Sequence, residues 1–421
     1  MKSSYRRLVD RINRFPQGAP PHELLYRILE VLFSEKEAEL LAVVPLVPFT
    51  AEEAARRWDM DASAAEKILD ALASRAMVMD LEHDGRRKFA LPPPMAGFFE
   101  FSMMRVRGDL DQKLLAELYY QYLNVEEDFV KKLFTDGETR MGRAFVAEPV
   151  LSNENALHVL DHERASHVFR SAKHIAVGVC YCRHKMMHMD RACDAPLEIC
   201  TTLNTAAQSL IKHGHAREID VAEGLDLLDQ ARDLGLVQFG ENVRQGVNFI
   251  CHCCGCCCEA LIAGRRFGHL NPIHTTNFLP VVQDGCKGCG RCVKACPVEA
   301  LSLVSANDPE RPKRRRARLD ENVCLGCAVC VSACRNHNLT LASRPERVLT
   351  PLDTFQRTVI MAIERGSLQN FIFDNRLHMS HRAMAAVLGV ILGLPPVRRT
   401  AAASMMRSRY LEALIDRLSP Y

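Results

Sequence analysis

Cysteine is absent from the first 179 and the last 87 of the 421 residues, so thiol chemistry is confined to the middle of the chain. An excess of charge of one sign is also absent, because 54 Lys and Arg stand against 51 Asp and Glu. This balance argues against a protein built mainly to hold nucleic acid, which would need a pervasive positive field. The longest apolar stretch, residues 383–397, contains two prolines and is shorter than the roughly 20 residues of a membrane helix. We therefore expect no transmembrane segment and interpret this stretch as a core helix, with a membrane-surface contact as the less favoured interpretation.

Several sequence signatures of enzymes are missing as well. There is no C-x3-C-x2-C run for a radical S-adenosylmethionine cluster, no G-x-G-x-x-G after a strand for a dinucleotide, and no G-x4-G-K-[ST] phosphate loop. An enzyme acting on an organic substrate would therefore need its reactive centre among the cysteines. The N-terminus runs into charged residues without the apolar core of a secretion signal, so we expect a cytoplasmic location. In that reducing compartment, clustered cysteines are more often metal ligands than disulfides.

Residues 20–95 show a pattern of helices followed by a hairpin. Apolar residues recur at helical spacing, and Thr50 with Glu53 has the spacing of a capping box. Residues 77–91 then alternate between apolar and polar around a His-Asp-Gly turn signal. This order of elements resembles a winged helix-turn-helix, although no signature motif accompanies it. Residues 96–150 are predicted to form a helical linker.

The chain repeats itself between residues 278 and 343 with a period of 38 residues. Each half has the C-x2-C-x2-C-x3-C spacing of bacterial ferredoxins, and residues 276–345 resemble a ferredoxin domain with two 4Fe-4S clusters. The resemblance implies that three cysteines of each half bind one cluster while the fourth binds the other. The implied ligands are Cys286, Cys289, Cys292 and Cys334 for one cluster, and Cys324, Cys327, Cys330 and Cys296 for the second.

Two features depart from the ferredoxin pattern. Arg335 stands where a proline would follow the last cysteine, which would place a positive charge near a cluster. The segment between the halves is lengthened by the basic run 308–318, predicted to be an exposed loop. This run is interpreted either as a solvated loop or as a docking patch for an acidic redox partner.

Residues 151–275 form a predicted cysteine-rich α+β domain with ten thiols. Their number favours one or two further iron-sulfur clusters, with zinc as the alternative metal and a partly free thiol site as a third interpretation. The simplest arrangement by sequence order uses the first four cysteines for one cluster and four of the last six for another. Histidine ligation by His184, His188 or His252 is the less favoured role. The candidate metal ligands are Cys180, Cys182, Cys193, Cys200, Cys251, Cys253, Cys254, Cys256, Cys257 and Cys258.

The complete order of units resembles iron-sulfur proteins of anaerobes in which a cysteine-rich half precedes a two-cluster ferredoxin domain. The predicted fold class is multidomain α+β, comprising the winged-helix-like domain, the cysteine-rich domain, the ferredoxin-like domain and a helical segment over 346–421. The resemblance implies redox work without naming a substrate.

Three functions are compatible with these features. The leading hypothesis is an electron-transfer protein that passes single low-potential electrons to or from a partner oxidoreductase. A reductase with its own active site in the cysteine-rich domain is the second, and a redox-sensing winged-helix transcription regulator is the third. Nucleic acid is not an expected partner, because residues 1–100 carry 14 Lys and Arg against 16 Asp and Glu. A homodimer formed through the N-terminal domain is a further prediction.

Overall fold

The computed structural model describes residues 3–83, 85–152, 156 and 159–372. Its N-terminal part is a group of helices followed by a hairpin, whose two strands pair antiparallel from Met79 with Ala90 to His83 with Arg86. The elements are α1 Ser3–Ile12, α2 Glu23–Leu32, α3 Glu35–Leu41, α4 Ala51–Trp58, α5 Ala62–Ser74, β1 Met79–His83 and β2 Arg86–Ala90. The sequence predicted three helices followed by a hairpin, and the structure adds α1 and α3 to them, while the winged-helix assignment stays a prediction.

Local hydrogen bonds explain where these helices begin. Thr50 accepts from the amide of Glu53, whose side chain accepts in return from the Thr50 amide, so the predicted capping box is present. Asp61 accepts from two amides in the first turn of α5. Such caps satisfy backbone donors that have no partner within the helix. The helices after the hairpin are α6 Phe99–Phe101, α7 Gln112–Tyr120 and α8 Asp128–Thr135.

A six-stranded sheet in which every pairing is antiparallel organises the cysteine-rich region. Its strands are β3 Gly142–Ala144, β4 Ile175–Val179, β5 Glu198–Leu203, β6 Arg217–Glu218, β7 Val237–Glu241 and β8 Phe249–Cys253, and their order across the sheet is β3-β7-β8-β5-β4-β6. The accompanying helices are α9 Ala165–Ser171, α10 Tyr181–His188, α11 Asn204–Lys212, α12 Val221–Asp233 and α13 Glu259–Arg266. The sequence also predicts a helix over residues 156–170; this range lies partly outside the described residues, and within them α9 covers Ala165–Ser171.

The repeat region folds into two small antiparallel sheets with one short helix in each half. In one sheet β9 pairs with β12, so the first and last strands of the unit lie side by side, and in the other β10 pairs with β11. The elements are β9 Phe278–Val282, α14 Arg291–Ala295, β10 Leu301–Ser305, β11 Arg315–Leu319, α15 Val329–Ser332 and β12 Leu339–Ser343. The predicted loop at 308–318 is therefore only partly a loop, since its last four residues belong to β11.

Within the described part of the chain, two helices follow the repeat region, α16 Thr354–Glu364 and α17 Gln369–Ile372. The remainder of the predicted helical segment, including the apolar stretch 383–397, lies outside the described residues. Among the residues that are described, no helix is both long and apolar enough to cross a membrane.

One apolar core continues through the units predicted from sequence. It contains Leu8 of α1, Phe99 of α6, Leu261 of α13 and Leu325 of the ferredoxin-like region, each buried. Glycines allow close packing between the last two units, because a Cβ at Gly264 would lie 3.0 Å from the side chain of Val298. The predicted domain boundaries stay predictions, and these units pack directly against one another.

A buried carboxylate fastens the hairpin to the cysteine-rich unit. Asp80 of β1 accepts hydrogen bonds from Ser209 and Lys212 of α11 and lies 3.1 Å from His213 Nε2. Burial raises the pKa of Asp80, but the hydrogen bonds from Lys212 and Ser209, the charge of His213 and a hydrogen bond from Arg87 together lower it well below its usual value. The charged carboxylate is therefore the form that holds the two units together.

Candidate functional site

Six of the ten cysteines in the cysteine-rich region meet at one end of the large sheet. Cys200 lies in β5, and Cys251 with Cys253 lies in the neighbouring strand β8, where residues two apart share a face. Cys180 follows β4, and Cys258 immediately precedes α13. We call this group the six-thiol chamber; its members are Cys180, Cys182, Cys200, Cys251, Cys253 and Cys258.

The thiols of the six-thiol chamber lie close enough to one another, in an unbroken series, for each to shift the pKa of the next. The series runs in the order Cys180, Cys200, Cys251, Cys253, Cys258 and Cys182. A cavity of about 150 Å³ lies among them, and Met95, Glu100 and Tyr181 contribute to its wall. The hydroxyl of Tyr181 is buried without a hydrogen-bond partner among the described residues. A group of soft ligands around an enclosed space fits a thiolate-bound metal cluster.

Two of these thiols are stabilised as thiolates, the form that binds metal. Hydrogen bonds from Cys182 and Cys253, followed by those from the backbone amides of Leu261 and Ala260 in the first turn of α13, lower the pKa of Cys258 well below its usual value. Hydrogen bonds from Cys200 and Cys253 lower the pKa of Cys251 to about 6. The chamber therefore presents anionic ligands beside others that must release a proton when metal binds.

Acidic and basic groups adjoin the six-thiol chamber. Burial raises the pKa of Glu100 to about 7. The amides of Ala96 and Gly97 donate hydrogen bonds to its carboxylate and lower this pKa, but by less than burial raises it. Lys185, whose side chain is 0% exposed, forms an ion pair with Glu259, whose side chain is 2% exposed. A charge this deeply buried is tolerated because it is paired and hydrogen-bonded.

The remaining four cysteines form a second and more compact group, which we call the four-thiol site: Cys193, Cys254, Cys256 and Cys257. Their sulfur atoms all lie within 4.8 Å of one another. The Sγ atoms of Cys193 and Cys254 are 3.5 Å apart, and those of Cys256 and Cys257 are 3.6 Å apart. A set of four thiols at this spacing is a sufficient ligand set for a tetrahedral metal site.

A buried arginine lies between the chamber and the four-thiol site. Arg183 donates to the carbonyls of Pro196 and His252, and its guanidinium lies 3.8 Å from Cys254 Sγ. Burial lowers the pKa of Arg183, but the neighbouring sulfur atoms of Cys180 and Cys254 raise it by more, so the guanidinium stays charged. Hydrogen bonding by Cys257 and the charge of Arg183 lower the pKa of Cys254 to about 4. Arg183 therefore offsets the negative charge that thiolates concentrate at both groups.

The division of the ten cysteines differs from the arrangement expected from sequence order. Cys193 leaves the first four and joins three of the later run, while Cys180, Cys182 and Cys200 join the other three. The reason is tertiary, because the loop between α10 and β5 brings Cys193 to the turn at 254–257. The sequence did not predict a role for Arg183 or Lys185 at the site. Their position close to Cys182 in the chain was the one feature that pointed to them.

The three candidate histidines lie apart from the thiol contacts. His184 Nδ1 is 2.8 Å from the Met103 carbonyl, and its other ring nitrogen is 3.2 Å from His188. His252 points away from Cys251 and Cys253 because neighbouring residues of a strand face opposite sides. Neither ring nitrogen of His252 has a hydrogen-bond partner among the described residues.

The eight cysteines of the repeat form two groups that mix the halves. Cys334 lines the same small cavity as Cys286, Cys289 and Cys292. In the second group Cys296 lies near enough to the three cysteines of the other half, Cys324, Cys327 and Cys330, to raise the pKa of each. These groupings agree with the pairing that the ferredoxin resemblance implies, and the ligand assignment itself stays a prediction.

Glycine backbone conformations bring amides close to the sulfurs of the repeat. Gly326 has a φ of +71°, and its amide donates to Cys324 Sγ at 3.4 Å. A Cβ at this residue would lie 2.1 Å from Thr276 Oγ1, so a side chain cannot be accommodated. Hydrogen bonds of this kind help to set the reduction potential of a cluster.

The four-thiol site touches the second group of the repeat. A Cβ at Gly255, which lies between Cys254 and Cys256, would be 2.7 Å from the carbonyl oxygen of Pro297. Pro297 follows Cys296 directly, and Cys296 and Cys254 line one crevice. Cys254 also lines the six-thiol chamber. The second cysteine group of the repeat, the four-thiol site and the six-thiol chamber are therefore neighbours in that order. The contact between Gly255 and Pro297 joins the first two of them.

Comparison with known proteins identifies one part of the chain. Residues 285–338 match the family described as a 4Fe-4S dicluster domain, which confirms the class of domain predicted from the cysteine spacing. No curated protein and no solved structure matches the chain. The chain therefore carries a 4Fe-4S dicluster domain together with a cysteine-rich region.

Proposed function

We propose that this protein transfers single electrons between a partner oxidoreductase and a redox site in the six-thiol chamber, by way of its ferredoxin-type clusters. The observation that carries the proposal is the contact of Gly255 with Pro297, because it joins the loop of Cys254 to the loop of Cys296. Bound 4Fe-4S clusters would supply one-electron chemistry, while the protein supplies ligands, orientation and exclusion of water.

The repeat fits this role through the chemistry of its donors. Each group offers four thiols, and backbone amides donate to the sulfurs of Cys324 and Cys296. Burial raises the pKa of Cys324 to about 11 and that of Cys327 to about 12, so both thiols must lose protons when a cluster binds. Cys289 is exposed, which makes the first group the proposed point of contact with the partner.

The six-thiol chamber is the proposed site of a further iron-sulfur cluster. Six thiols that touch in series would oxidise readily if left free, and metal ligation protects them. The two thiolates at Cys251 and Cys258 provide ligands that need no deprotonation near neutral pH. We propose a cytoplasmic location, since none of the 18 cysteines forms a disulfide and a reducing compartment favours metal ligation over disulfide formation.

The basic run offers less to a docking partner than its sequence indicated. Arg311 and Arg314 both pair with Asp308, and Arg314 also donates to the carbonyls of Asp284 and Cys286. These contacts favour a role in shaping the loop beside the first cluster group. An acidic partner surface is accordingly not required by the proposal.

We propose that the winged-helix-like part is a packing and docking module rather than a DNA reader. Arg87, in the hairpin that would form the wing, makes ion pairs with Asp70 and Asp80, and Arg7 makes one with Glu39. Cations already paired within the protein contribute little to phosphate binding. Homodimer formation through this part remains compatible with the proposal.

A second candidate function is a reductase whose reaction takes place in the six-thiol chamber. The observation favouring it is that the chamber holds six thiols where a cubane needs four, next to the carboxyl group of Glu100. A carboxyl group with a pKa of about 7 is suited to proton exchange near neutral pH. Turnover of a small acceptor that fails in Cys251→Ala while the ferredoxin signals persist would favour this function.

The experiment that tests electron transfer uses full-length protein purified without oxygen. Iron and inorganic sulfide are measured, and paramagnetic resonance follows a reductive titration of the native protein, of Cys289→Ala and of Cys251→Ala. We expect Cys289→Ala to lose or convert one ferredoxin-type cluster and Cys251→Ala to lose a separate signal. If Cys251→Ala keeps every signal and all of its iron, the chamber is not a redox site and the proposal fails.

A further inference from the structure

The four-thiol site differs from the other thiol groups in its compactness. All four sulfurs lie within 4.8 Å of one another, and the Cys193–Cys254 and Cys256–Cys257 separations are 3.5 and 3.6 Å. Four sulfurs bound tetrahedrally at about 2.3 Å from one ion would be separated by about 3.8 Å. The thiols of Cys193, Cys254, Cys256 and Cys257 are therefore already near the spacing that a single ion requires.

A cubane would need a more open arrangement. Each of its four thiolates binds a different iron atom, so the sulfurs are spread around a cluster instead of around one ion. The ferredoxin-type groups give a comparison within the same chain. Among the described residues, no other set of three or more Cys, His, Asp or Glu ligand atoms is as close together, those eight cysteines included.

The backbone explains how two consecutive cysteines reach one point. Residues 255–257 form a turn between β8 and α13, which lets Cys256 and Cys257 present their sulfurs together. Cys193 comes from the loop between α10 and β5 and completes the set. A bound ion would thereby tie two loops that the sheet alone does not connect.

The surroundings supply compensating charge and a wall. Four thiolates around a divalent ion leave a net charge of −2, and the guanidinium of Arg183 lies 3.8 Å from Cys254 Sγ. On the side of the repeat, Lys294 lines the crevice together with Asp194, Arg265 and Glu299, and Arg265 pairs with Glu299. Arg183 is therefore the buried cation that compensates the charge of the site.

We infer that Cys193, Cys254, Cys256 and Cys257 bind a single tetrahedrally coordinated divalent ion, zinc or iron(II), rather than a 4Fe-4S cluster. This inference does not depend on the proposed electron transfer. Tetrathiolate sites of this geometry accommodate either zinc or a single iron, and zinc has no redox chemistry. With zinc bound, the site would hold the loop of Gly255 against Pro297 without itself carrying electrons.

The test compares metal with inorganic sulfide in full-length protein purified without oxygen. A cubane contributes iron and sulfide equally, whereas a mononuclear site contributes metal alone. We expect the double variant Cys256→Ser/Cys257→Ser to lose one metal ion per chain with no loss of sulfide, and elemental analysis identifies the ion as zinc or iron. The matched control Cys182→Ser/Cys258→Ser, in the six-thiol chamber, is expected to lose iron and sulfide together if the proposed function is right.

A measurement on the native protein covers the case in which the variant does not fold. The native chain is expected to contain one metal ion in excess of its sulfide, and if this ion is zinc, its X-ray absorption should show four sulfur neighbours and no metal neighbour. Equal amounts of metal and sulfide in the native protein, or a loss of iron and sulfide together in Cys256→Ser/Cys257→Ser, would overturn the inference.

Discussion

The contact between the cysteine-rich region and the repeat can be tested by adding one methyl group at Gly255. A Cβ there would lie 2.7, 3.0 and 3.1 Å from the carbonyl oxygen, Cα and Cβ of Pro297. An ordinary contact begins at 3.4 Å, so Gly255→Ala must push the two loops apart by about 0.7 Å. The opposing oxygen belongs to the backbone and cannot rotate away. Inserting a methyl group into such a packed contact typically costs about 1–3 kcal/mol.

Gly108→Ala is the matched control for this substitution. A Cβ at Gly108 would meet nothing within 4 Å, and its backbone conformation is not left-handed. The same chemical change should there be neutral or stabilise by about 0.4–1 kcal/mol, because alanine restricts the unfolded chain. The difference between the two variants therefore isolates the contact with Pro297.

Two assays on the full-length protein measure the effect. Urea-induced unfolding under anaerobic conditions gives the change in the free energy of unfolding. Rapid-freeze paramagnetic resonance after mixing with a reductant gives the rate at which the chamber signal follows the ferredoxin signals. We expect Gly255→Ala to lower the midpoint of unfolding and slow the second signal, with iron content unchanged. The reasoning is refuted if Gly255→Ala matches Gly108→Ala in both assays.

Four further predictions concern stability, pH and nucleic acid. Lys185→Met should lower the free energy of unfolding by about 3–5 kcal/mol, because it leaves the buried carboxylate of Glu259 without its cation. In urea titrations, the double variant Lys185→Met/Glu259→Gln should recover part of this loss. Because the pKa of Asp80 is lower in the folded than in the unfolded protein, Asp80 stabilises the fold above the unfolded pKa of about 3.9, and this contribution should disappear as pH falls below that value. Asp80→Asn should therefore weaken the dependence of the free energy of unfolding on pH in the acid range. Ala328→Gly should raise the free energy of unfolding by up to about 1 kcal/mol, because Ala328 has a φ of +69°, a left-handed conformation that favours glycine. The other half of the repeat has Gly290 at the equivalent position, and thermal unfolding measures the gain. DNA binding should be weak, salt-sensitive and without sequence preference in anisotropy titrations, and selection of an operator with nanomolar affinity at physiological salt would contradict it.

The features that could be predicted from sequence are those whose partners lie close together along the chain. The capping box of Thr50 and Glu53, the hairpin at 79–90 and the spacing of the repeat cysteines each depend on a few consecutive residues. A turn that presents three thiols to one cluster is encoded locally, so the cysteine spacing is enough to identify a 4Fe-4S dicluster domain. The single basic run was less informative, because its charge pattern does not show that β11 uses part of it.

The division of the ten remaining cysteines was decided only by tertiary structure. Sequence order places Cys193 between Cys182 and Cys200, yet the sheet takes those two into the six-thiol chamber and leaves Cys193 on the loop that reaches Cys254. The pairing of Lys185 with Glu259, 74 positions apart, likewise arises where α10 meets α13. Strand pairing and helix packing bring distant residues together, and a single sequence carries no local pattern that shows which of several equivalent thiols will meet.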